Sequence, residues 1–346
     1  MKALNPNIFR QYDIRGVVGV DIDEDVAKTL GQAFGTFTIN HGEKQVIVGC
    51  DNRKSSPALK EALVSGLLST GCDVVDIGTV ITPVFYYSRI LYGINPGIMV
   101  TASHNPPQFN GFKVAFGHGT IYGQQIQDLM DMMKKAEFIT GKGALITRDP
   151  REEYINMICD KIKLDKSLKV GIDCGNGTAS LIAVDVFSKL GVETFPLYCI
   201  SDPEFPNHFP DPVKPENLQD LRKLVLDNQL DLGLGFDGDG DRIGVVDDKG
   251  NIIFGDMLMI LFWREIMPKY PGTTAIVEVK CSKALCDEIE RLGGKPMFYK
   301  TGHSLIKAKM RDIGAVFTGE MSGHMFFADE YYGFDDAIYA AARLLR

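Results

Sequence analysis

Apolar and polar positions along this chain form a block that recurs three times: an apolar run, an amphipathic segment, a glycine and a second apolar run. Short apolar runs predict strands, and the longer amphipathic segments predict helices. The predicted strands cover 45–50, 72–77, 168–173, 192–197, 274–279 and 295–299, and the helices between them cover 57–69, 178–190 and 282–292. Continuous apolar strands suit sheets covered on both faces. We therefore expect the α/β class, with three related domains whose mixed sheets are covered by helices.

Breaks in this pattern predict where the domains meet. Glycines and a proline interrupt the helical pattern within 140–150, and a polar turn at 247–251 separates two apolar strands. We predict domains over 1–145, 146–250 and 251–346. The proline-rich stretch 202–215 predicts a long surface loop in the middle domain, because so many prolines cannot serve a central strand.

Composition narrows the class of protein. A chain of 346 residues exceeds what one hydrophobic core usually supports, and its 45% apolar and 24% charged residues are ordinary for a globular protein. No apolar run approaches the roughly 20 residues of a membrane span, so we expect a cytoplasmic protein without membrane contact. Seven cysteines without a Cys-x-x-Cys pair predict reduced, mostly buried thiols. A net charge of −8 argues against a nucleic-acid partner.

A serine stands where α/β sheets place their ligands. Ser103 follows an apolar strand predicted over 97–100, and the prolines after Asn105 force a turn. Serine is a poor nucleophile without help from a base or a cation. His104 is its neighbour, which does not by itself make a catalytic pair. The alternative is a turn whose hydroxyl groups only make hydrogen bonds.

Three aspartates separated by glycines follow a strand predicted over 231–236: Asp237, Asp239 and Asp241. Such a set of hard oxygen ligands suits Mg²⁺, which commonly completes its shell with phosphate oxygens. A calcium EF-hand is excluded, because Arg242 and Asp248 stand where glycine and glutamate are needed. A phosphatase with Asp237 as nucleophile stays open. A merely solvated acidic loop is disfavoured by charge repulsion.

Two further sets of polar residues are weaker signals. The run 319–324 offers Glu320, Ser322 and His324 between glycines, which suits sugar hydroxyls, although a turn packed on its flanking phenylalanines would also explain it. Dispersed cationic or titratable side chains could offset a phosphate dianion: Arg10, Arg15, Lys113, Lys280 and His303.

The motifs Thr101–Pro106, Asp237–Arg242 and Gly319–His324, in this order, resemble the α-D-phosphohexomutases, and most closely their bacterial phosphomannomutase/phosphoglucomutase branch. The resemblance implies a phosphoserine at Ser103 whose phosphate, with the three aspartates, holds Mg²⁺. It implies a substrate site around Tyr12, Arg242, Lys280, His303, Glu320, Ser322 and His324. Arg15 and Lys113 would lie next to the transferred phosphoryl group, with His324 or Lys113 as the general base.

The resemblance also implies an activity. The expected reaction interconverts hexose 1-phosphate and 6-phosphate, of mannose or glucose, through a 1,6-bisphosphate that also serves as activator. The phosphoserine, metal-binding and sugar-binding domains would surround a central cleft, in a monomer whose partners are small hexose phosphates. Members of this family continue into a fourth domain with an Arg-x-Ser-x-Thr-x-Pro loop, so we expect a truncated chain with weakened turnover.

Three other functions stay open at this point. Phosphoglucosamine mutase is the nearest, although Met321 favours the mannose/glucose branch. A magnesium-dependent aspartyl phosphatase would use Asp237 of the acidic loop as its nucleophile. A non-catalytic fragment would bind sugar phosphates without converting them.

Overall fold

The computed structural model describes residues 4–346, which divide into two compact units. The first ends at Glu152 and includes Asp202–Glu204. The second comprises Glu153–Ser201 and Phe205–Arg346. Among the described residues, no helix combines the length and apolarity needed to cross a bilayer.

The first unit is built on a mixed sheet. Its strands are β1 Ile14–Val17, β2 Gln45–Cys50, β3 Asp73–Thr79, β4 Gly97–Val100, β5 Phe109–Phe116, β6 Gly119–Thr120 and β7 Leu145–Thr147. Its helices are α1 Glu24–Asn40, α2 Ser56–Leu68, α3 Thr82–Leu91 and α4 Gln124–Lys135, after a 3-10 turn at Pro6–Ile8. The strand order is β1-β5-β4-β2-β3-β7, with β6 on β5. β2 runs parallel to β3 and β4, whereas β5 is antiparallel to β1, β4 and β6.

Helices α1 and α2 pack closely because glycines line their contact. A Cβ added at Gly66 would lie 2.1 Å from the Lys28 carbonyl oxygen, and one at Gly31 would lie 2.3 Å from the Leu63 carbonyl oxygen. A side chain at either position would force the helices apart. The core beneath them contains buried valines and an isoleucine of β2 and β4. Because β2 and β4 pair in parallel, their carboxyl ends lie side by side.

The second unit contains a five-stranded mixed sheet and two strand pairs. Its strands are β8 Lys169–Asp173, β9 Glu193–Leu197, β10 Leu232–Phe236, β11 Ile243–Asp247, β12 Ile252–Ile253, β13 Thr274–Glu278, β14 Lys295–Tyr299, β15 Phe317–Gly319 and β16 Met325–Phe327. Helix α5 Arg151–Lys161 crosses the division between the units, and the helices that follow are α6 Ala183–Lys189, α7 Gln219–Asn228, α8 Gly255–Ile266, α9 Lys283–Arg291, α10 His303–Ile313 and α11 Ala337–Leu345. The sheet order is β12-β11-β10-β8-β9, so β10 is central. β8 is parallel to β9 and β10, whereas β13 pairs with β14 in parallel and β15 with β16 antiparallel.

The strands lie within a residue or two of their predicted positions, but two predictions need correction. The helix predicted over 178–190 is a 3-10 turn at Thr178–Leu181 followed by α6, because the backbone leaves the helical region at Ile182. The proline-rich stretch has no strand, yet it is not purely a surface loop, since Phe205 and Asp211 are buried.

The ends of the predicted domains contribute short strands to the neighbouring sheets. β7, at the predicted first boundary, pairs with β3 in the first unit. β12, just after the predicted boundary at 250, pairs with β11. The three domain ranges stay a prediction.

Helix α11 begins at a buried acidic cap. The Asp336 carboxylate accepts a hydrogen bond from the Tyr339 amide and so caps the first turn of the helix. Burial raises the pKa of Asp336 to about 6, against the effect of hydrogen bonds from the Tyr331 and Tyr154 hydroxyls. Its neighbour Asp335 belongs to the candidate site described next.

Candidate functional site

Ser103 lies in a tight turn just after β4, in the first unit. Its φ is 52°, a left-handed conformation that is uncommon for a residue other than glycine. The turn is supported by the Thr101 hydroxyl, which accepts from the Ser103 amide at 2.9 Å. The Ser103 hydroxyl lies 3.1 Å from His104 Nδ1, so the two neighbours do share a hydrogen bond. Non-glycine residues held in such a conformation are concentrated at functional turns.

Arg53 holds this turn, although it is not among the site residues predicted from the sequence. Its guanidinium donates to the carbonyl oxygens of Ser103 and Asn105 at 2.6 Å each, and to that of Pro106 at 2.8 Å. Arg53 is only 1% exposed and pairs with Asp51 at 3.2 Å. Burial raises the pKa of Asp51, although the Arg53 charge acts in the opposite direction. One buried cation therefore determines the path of the serine loop.

A sequence signal for Arg53 did exist. Asp51 and Arg53 follow β2 directly, and β2 is the parallel neighbour of β4 in the sheet. Because the carboxyl ends of parallel strands meet at one edge, polar residues after β2 are expected beside those after β4.

Arg15 and Lys113 come from the antiparallel strands on the other side of β4. Arg15 donates to the Asn105 side chain at 2.6 Å and pairs with Asp13 at 2.6 Å. Its buried Nε has no hydrogen-bond partner within residues 4–346, which suits the approach of an anion. Lys113 is buried and lies opposite Met99 of β4 in the sheet register.

Two more predicted residues of the first unit lie before β1. Tyr12 is half-buried, whereas Arg10 is exposed. Arg15 therefore contacts the serine turn by its hydrogen bond to the Asn105 side chain, whereas Arg10 lies at the surface.

In the second unit the three aspartates follow the central strand β10. Asp237, Asp239 and Asp241 are all fully buried, and each has a carboxylate oxygen within 4.8 Å of the others'. The Asp237 carboxylate also accepts from the amides of Asp241 and Arg242 at 3.0 and 3.1 Å. Gly240 adopts a φ of 74°, which allows the loop to turn back on itself.

This donor set fits a divalent cation. Octahedral Mg²⁺ binds oxygen at roughly 2.1 Å, which places its ligands roughly 3 to 4.2 Å apart, a spacing the aspartates can meet. The Arg242 guanidinium lies 3.8 Å from Asp237. Although burial opposes it, the Asp237 and Asp241 charges raise the pKa of Arg242. Three adjacent carboxylates out of water repel one another strongly unless a cation joins them.

His324 links the acidic loop to a buried charge cluster. Its Nε2 accepts from Arg242 Nε at 3.0 Å, while its Nδ1 lies 3.1 Å from Asp335 and 3.5 Å from Asp241. Asp335 also pairs with Lys307 at 2.7 Å. Burial opposes ionisation, but Lys307 and His324 hold the pKa of Asp335 well below its ordinary value. Asp335 and Lys307 are not among the candidate site residues predicted from the sequence.

The run 319–324 lies beside the acidic loop. One oxygen of Glu320 accepts from the Gly302 amide at 2.8 Å, and the other accepts from the Ser322 hydroxyl at 3.0 Å. The Ile243 amide donates to the Gly323 carbonyl oxygen at 3.1 Å, which joins this turn to the strand that follows the acidic loop. His303 begins α10, and its ring stacks on that of His324 with centroids 5.4 Å apart.

Lys280 differs from these residues in its surroundings. It is exposed in the turn after β13, whereas the neighbouring Glu278 is buried and accepts from the Met321 amide at 3.1 Å. Glu278, which is not among the site residues predicted from the sequence, thus supports the backbone of the run 319–324.

Replacing Asp335 with asparagine should destabilise the second unit by about 3 to 5 kcal/mol, because it leaves the buried Lys307 charge without its carboxylate. Urea unfolding followed by circular dichroism measures the effect. Lys307→Met in the same chain should recover much of the loss, since no buried charge then lacks a partner. The matched control is Asp287→Asn in the exposed pair with Lys283, which should change little. Equal shifts for the two asparagine variants would contradict the prediction.

Family models match nearly the whole chain. The models for alpha/beta/alpha domains I, II and III of phosphoglucomutase/phosphomannomutase match residues 6–140, 152–250 and 254–346. The chain thus consists of three α/β domains with mixed sheets, as the sequence predicted.

Individual relatives agree with the family models. A phosphomannomutase/phosphoglucomutase of Pseudomonas aeruginosa is 47% identical over 343 residues, which cover 99% of this chain and 74% of that protein. A phosphoglucomutase of Neisseria meningitidis serogroup A is 41% identical over 347 residues, covering 100% of this chain and 75% of that one. The crystal structure of a phosphoglucomutase/phosphomannomutase family protein from Burkholderia thailandensis superposes with a TM-score of 0.96 at 45% identity, covering 99% of this chain and 76% of that chain.

Proposed function

Because the chain belongs to the phosphoglucomutase/phosphomannomutase family, we propose that it interconverts the 1-phosphate and the 6-phosphate of mannose or glucose through phosphorylated Ser103. Family membership identifies the chain as an enzyme, an intramolecular phosphotransferase. The observation that carries the finer proposal is the Ser103 turn, where Arg53 supports a strained backbone and Arg15 is bound through Asn105.

The proposed reaction has two phosphoryl transfers. A free hydroxyl of the hexose phosphate attacks the phosphorus of phosphoserine 103, the bond to the serine oxygen breaks, and a 1,6-bisphosphate results. After this intermediate turns over in the site, Ser103 takes back the other phosphoryl group and releases the isomeric monophosphate. The bisphosphate therefore also acts as the activator that loads Ser103. Such a reaction asks the protein mainly for positioning and charge neutralisation.

Different charged groups are proposed to neutralise and to position the transferred phosphoryl group. Mg²⁺, held by the three aspartates and the Ser103 phosphate, would neutralise charge on the transferring phosphoryl group. Arg15 and Lys113 are proposed to bind the same group in the first unit, and Arg242 in the second. This assignment requires the serine loop and the acidic loop to share one ion, which is the central element of the proposal.

His324 is proposed as the general base. Its Nδ1 lies 3.1 Å from Asp335, and a proton on Nδ1 leaves the Nε2 lone pair to accept from Arg242 Nε. His324 would take the hydroxyl proton on Nε2 after the substrate hydroxyl replaces Arg242 as its hydrogen-bond donor. Lys113 is the other candidate for this role. Glu320 and Ser322 would bind sugar hydroxyls, with Tyr12, Lys280 and His303 around the rest of the substrate.

Phosphorus NMR tests the reaction. The protein is supplied with Mg²⁺, glucose 1-phosphate and a trace of glucose 1,6-bisphosphate, and we expect the glucose 6-phosphate resonance to grow. Binding of glucose 1-phosphate without conversion would favour a sugar-phosphate-binding fragment instead. Faster conversion of glucosamine phosphates than of mannose and glucose phosphates would assign the chain to the phosphoglucosamine branch.

The phosphatase alternative has its own test. An aspartyl phosphatase would carry an acyl phosphate on Asp237, which hydroxylamine cleaves, whereas a phosphoserine survives that treatment. Phosphorylated protein that keeps its label in hydroxylamine supports the mutase proposal, and rapid release of the label contradicts it.

A further inference from the structure

Two cysteines that the proposed reaction does not use lie against each other in the second unit. Cys174 directly follows β8, and Cys199 lies two residues beyond the end of β9, its parallel neighbour. Their sulfur atoms are 3.3 Å apart. A disulfide requires the two sulfur atoms to approach from 3.3 Å to about 2.05 Å.

The two thiols differ in their exposure and in the direction of their pKa shifts. Cys199 is partly exposed, whereas Cys174 is fully buried. The hydrogen bond between the sulfurs lowers the pKa of Cys199 and, together with burial, raises the pKa of Cys174. A partly exposed thiol beside a second thiol that can resolve its sulfenic acid is typical of cysteine pairs that peroxide converts to a disulfide.

We propose that Cys199 and Cys174 are an oxidative modification site that forms a reversible disulfide with hydrogen peroxide. The Cys199 thiolate attacks one peroxide oxygen, the O–O bond breaks, and a sulfenic acid and hydroxide result. The Cys174 sulfur then attacks the Cys199 sulfur, its proton and the sulfenic hydroxyl leave as water, and the disulfide forms. Two thiols are thereby oxidised while one peroxide is reduced to two waters.

The same turn touches the acidic loop. After Cys174 the chain turns through Gly177, where an added Cβ would lie 3.0 Å from the Gly238 Cα. The Thr178 amide donates to the Gly238 carbonyl oxygen at 2.9 Å. Disulfide formation shortens the sulfur separation to about 2.05 Å and pulls on this turn. Given the proposed function of the acidic loop, oxidation should weaken its binding of a divalent cation.

Peptide mapping after hydrogen peroxide treatment tests the modification itself. We expect a cross-linked peptide pair containing Cys174 and Cys199, lighter by two hydrogen atoms and restored by dithiothreitol. Cys199→Ser should abolish it, whereas Cys159→Ser, which removes another partly buried thiol, should not. Full alkylation of both thiols after peroxide, or a sulfinic acid on Cys199 without the cross-link, would overturn the proposal.

Calorimetry with Mn²⁺ tests the link to the acidic loop. The oxidised wild-type protein should bind Mn²⁺ several-fold more weakly than the reduced protein, and Cys199→Ser should be insensitive to peroxide. Equal affinities with the cross-link formed would overturn the link while leaving the modification site in place. Failure of the reduced protein to bind Mn²⁺ would instead count against the proposed function of the acidic loop.

Discussion

Ser103→Ala is expected to abolish loading of the protein with phosphate and to lower the mutase rate by at least about 1,000-fold, since removing a nucleophile outright costs on the order of 10⁶ in proteases. The alanine removes the hydroxyl oxygen that we propose accepts the phosphoryl group, and no charge substitutes for a missing nucleophile. Intact mass after incubation with glucose 1,6-bisphosphate measures the loading, and phosphorus NMR measures the rate.

The control for this variant is Ser65→Ala, on the exposed face of α2. It makes the same chemical change away from the serine turn, so loading and rate should stay as in the wild type. Circular dichroism shows whether both variants keep their fold. Undiminished phosphate loading of Ser103→Ala would rule out the phosphoserine mechanism.

Asp239→Asn is expected to weaken Mg²⁺ binding by at least about 100-fold, because changes even in outer-shell partners of a metal cost 10- to 100-fold in affinity. Asp239 is the cleanest of the three aspartates to change, since Asp237 also accepts amides of its own loop. Without cation, the variant should be at least as stable as the wild type, because one of three repelling buried charges is gone.

Thermal unfolding with and without Mg²⁺ separates these two effects. A ligand that binds only the folded state adds about 2.7 kcal/mol at 100 times its dissociation constant, and the variant should lose this gain. Asp248→Asn, in the exposed turn between β11 and β12, is the matched control and should respond to Mg²⁺ like the wild type. Retention of the full Mg²⁺ response by Asp239→Asn would remove the acidic loop from the metal site.

A buried charge cluster around Asp335 supports the acidic loop through His324. Asp335 joins Lys307 and His324, and His324 in turn accepts from Arg242 of the acidic loop. These side chains come from α10, the run 319–324 and the segment before α11, which are separate in sequence. Removing any one charge affects the others, because buried groups have no water to replace a lost partner.

Local sequence patterns were enough to predict the positions of the strands and helices and the residue types of the candidate site. Strand and helix positions follow from short-range apolar patterning, as with the strand predicted over 97–100 and found at Gly97–Val100. The prediction failed at Ile182, where only the packing of the chain decides between one helix and two shorter segments.

Taken alone, the sequence determined the α/β class, the family and the motifs, because these depend on residues close together in the chain or on their order. Only the tertiary structure decided which buried groups support them: Arg53 reaches the serine turn from the loop after β2, and Asp335 joins His324 to Lys307. The close approach of Cys174 and Cys199 is of the same kind. Such contacts join residues that are distant in sequence, and burial, which gives them their strength, arises only when the chain has folded.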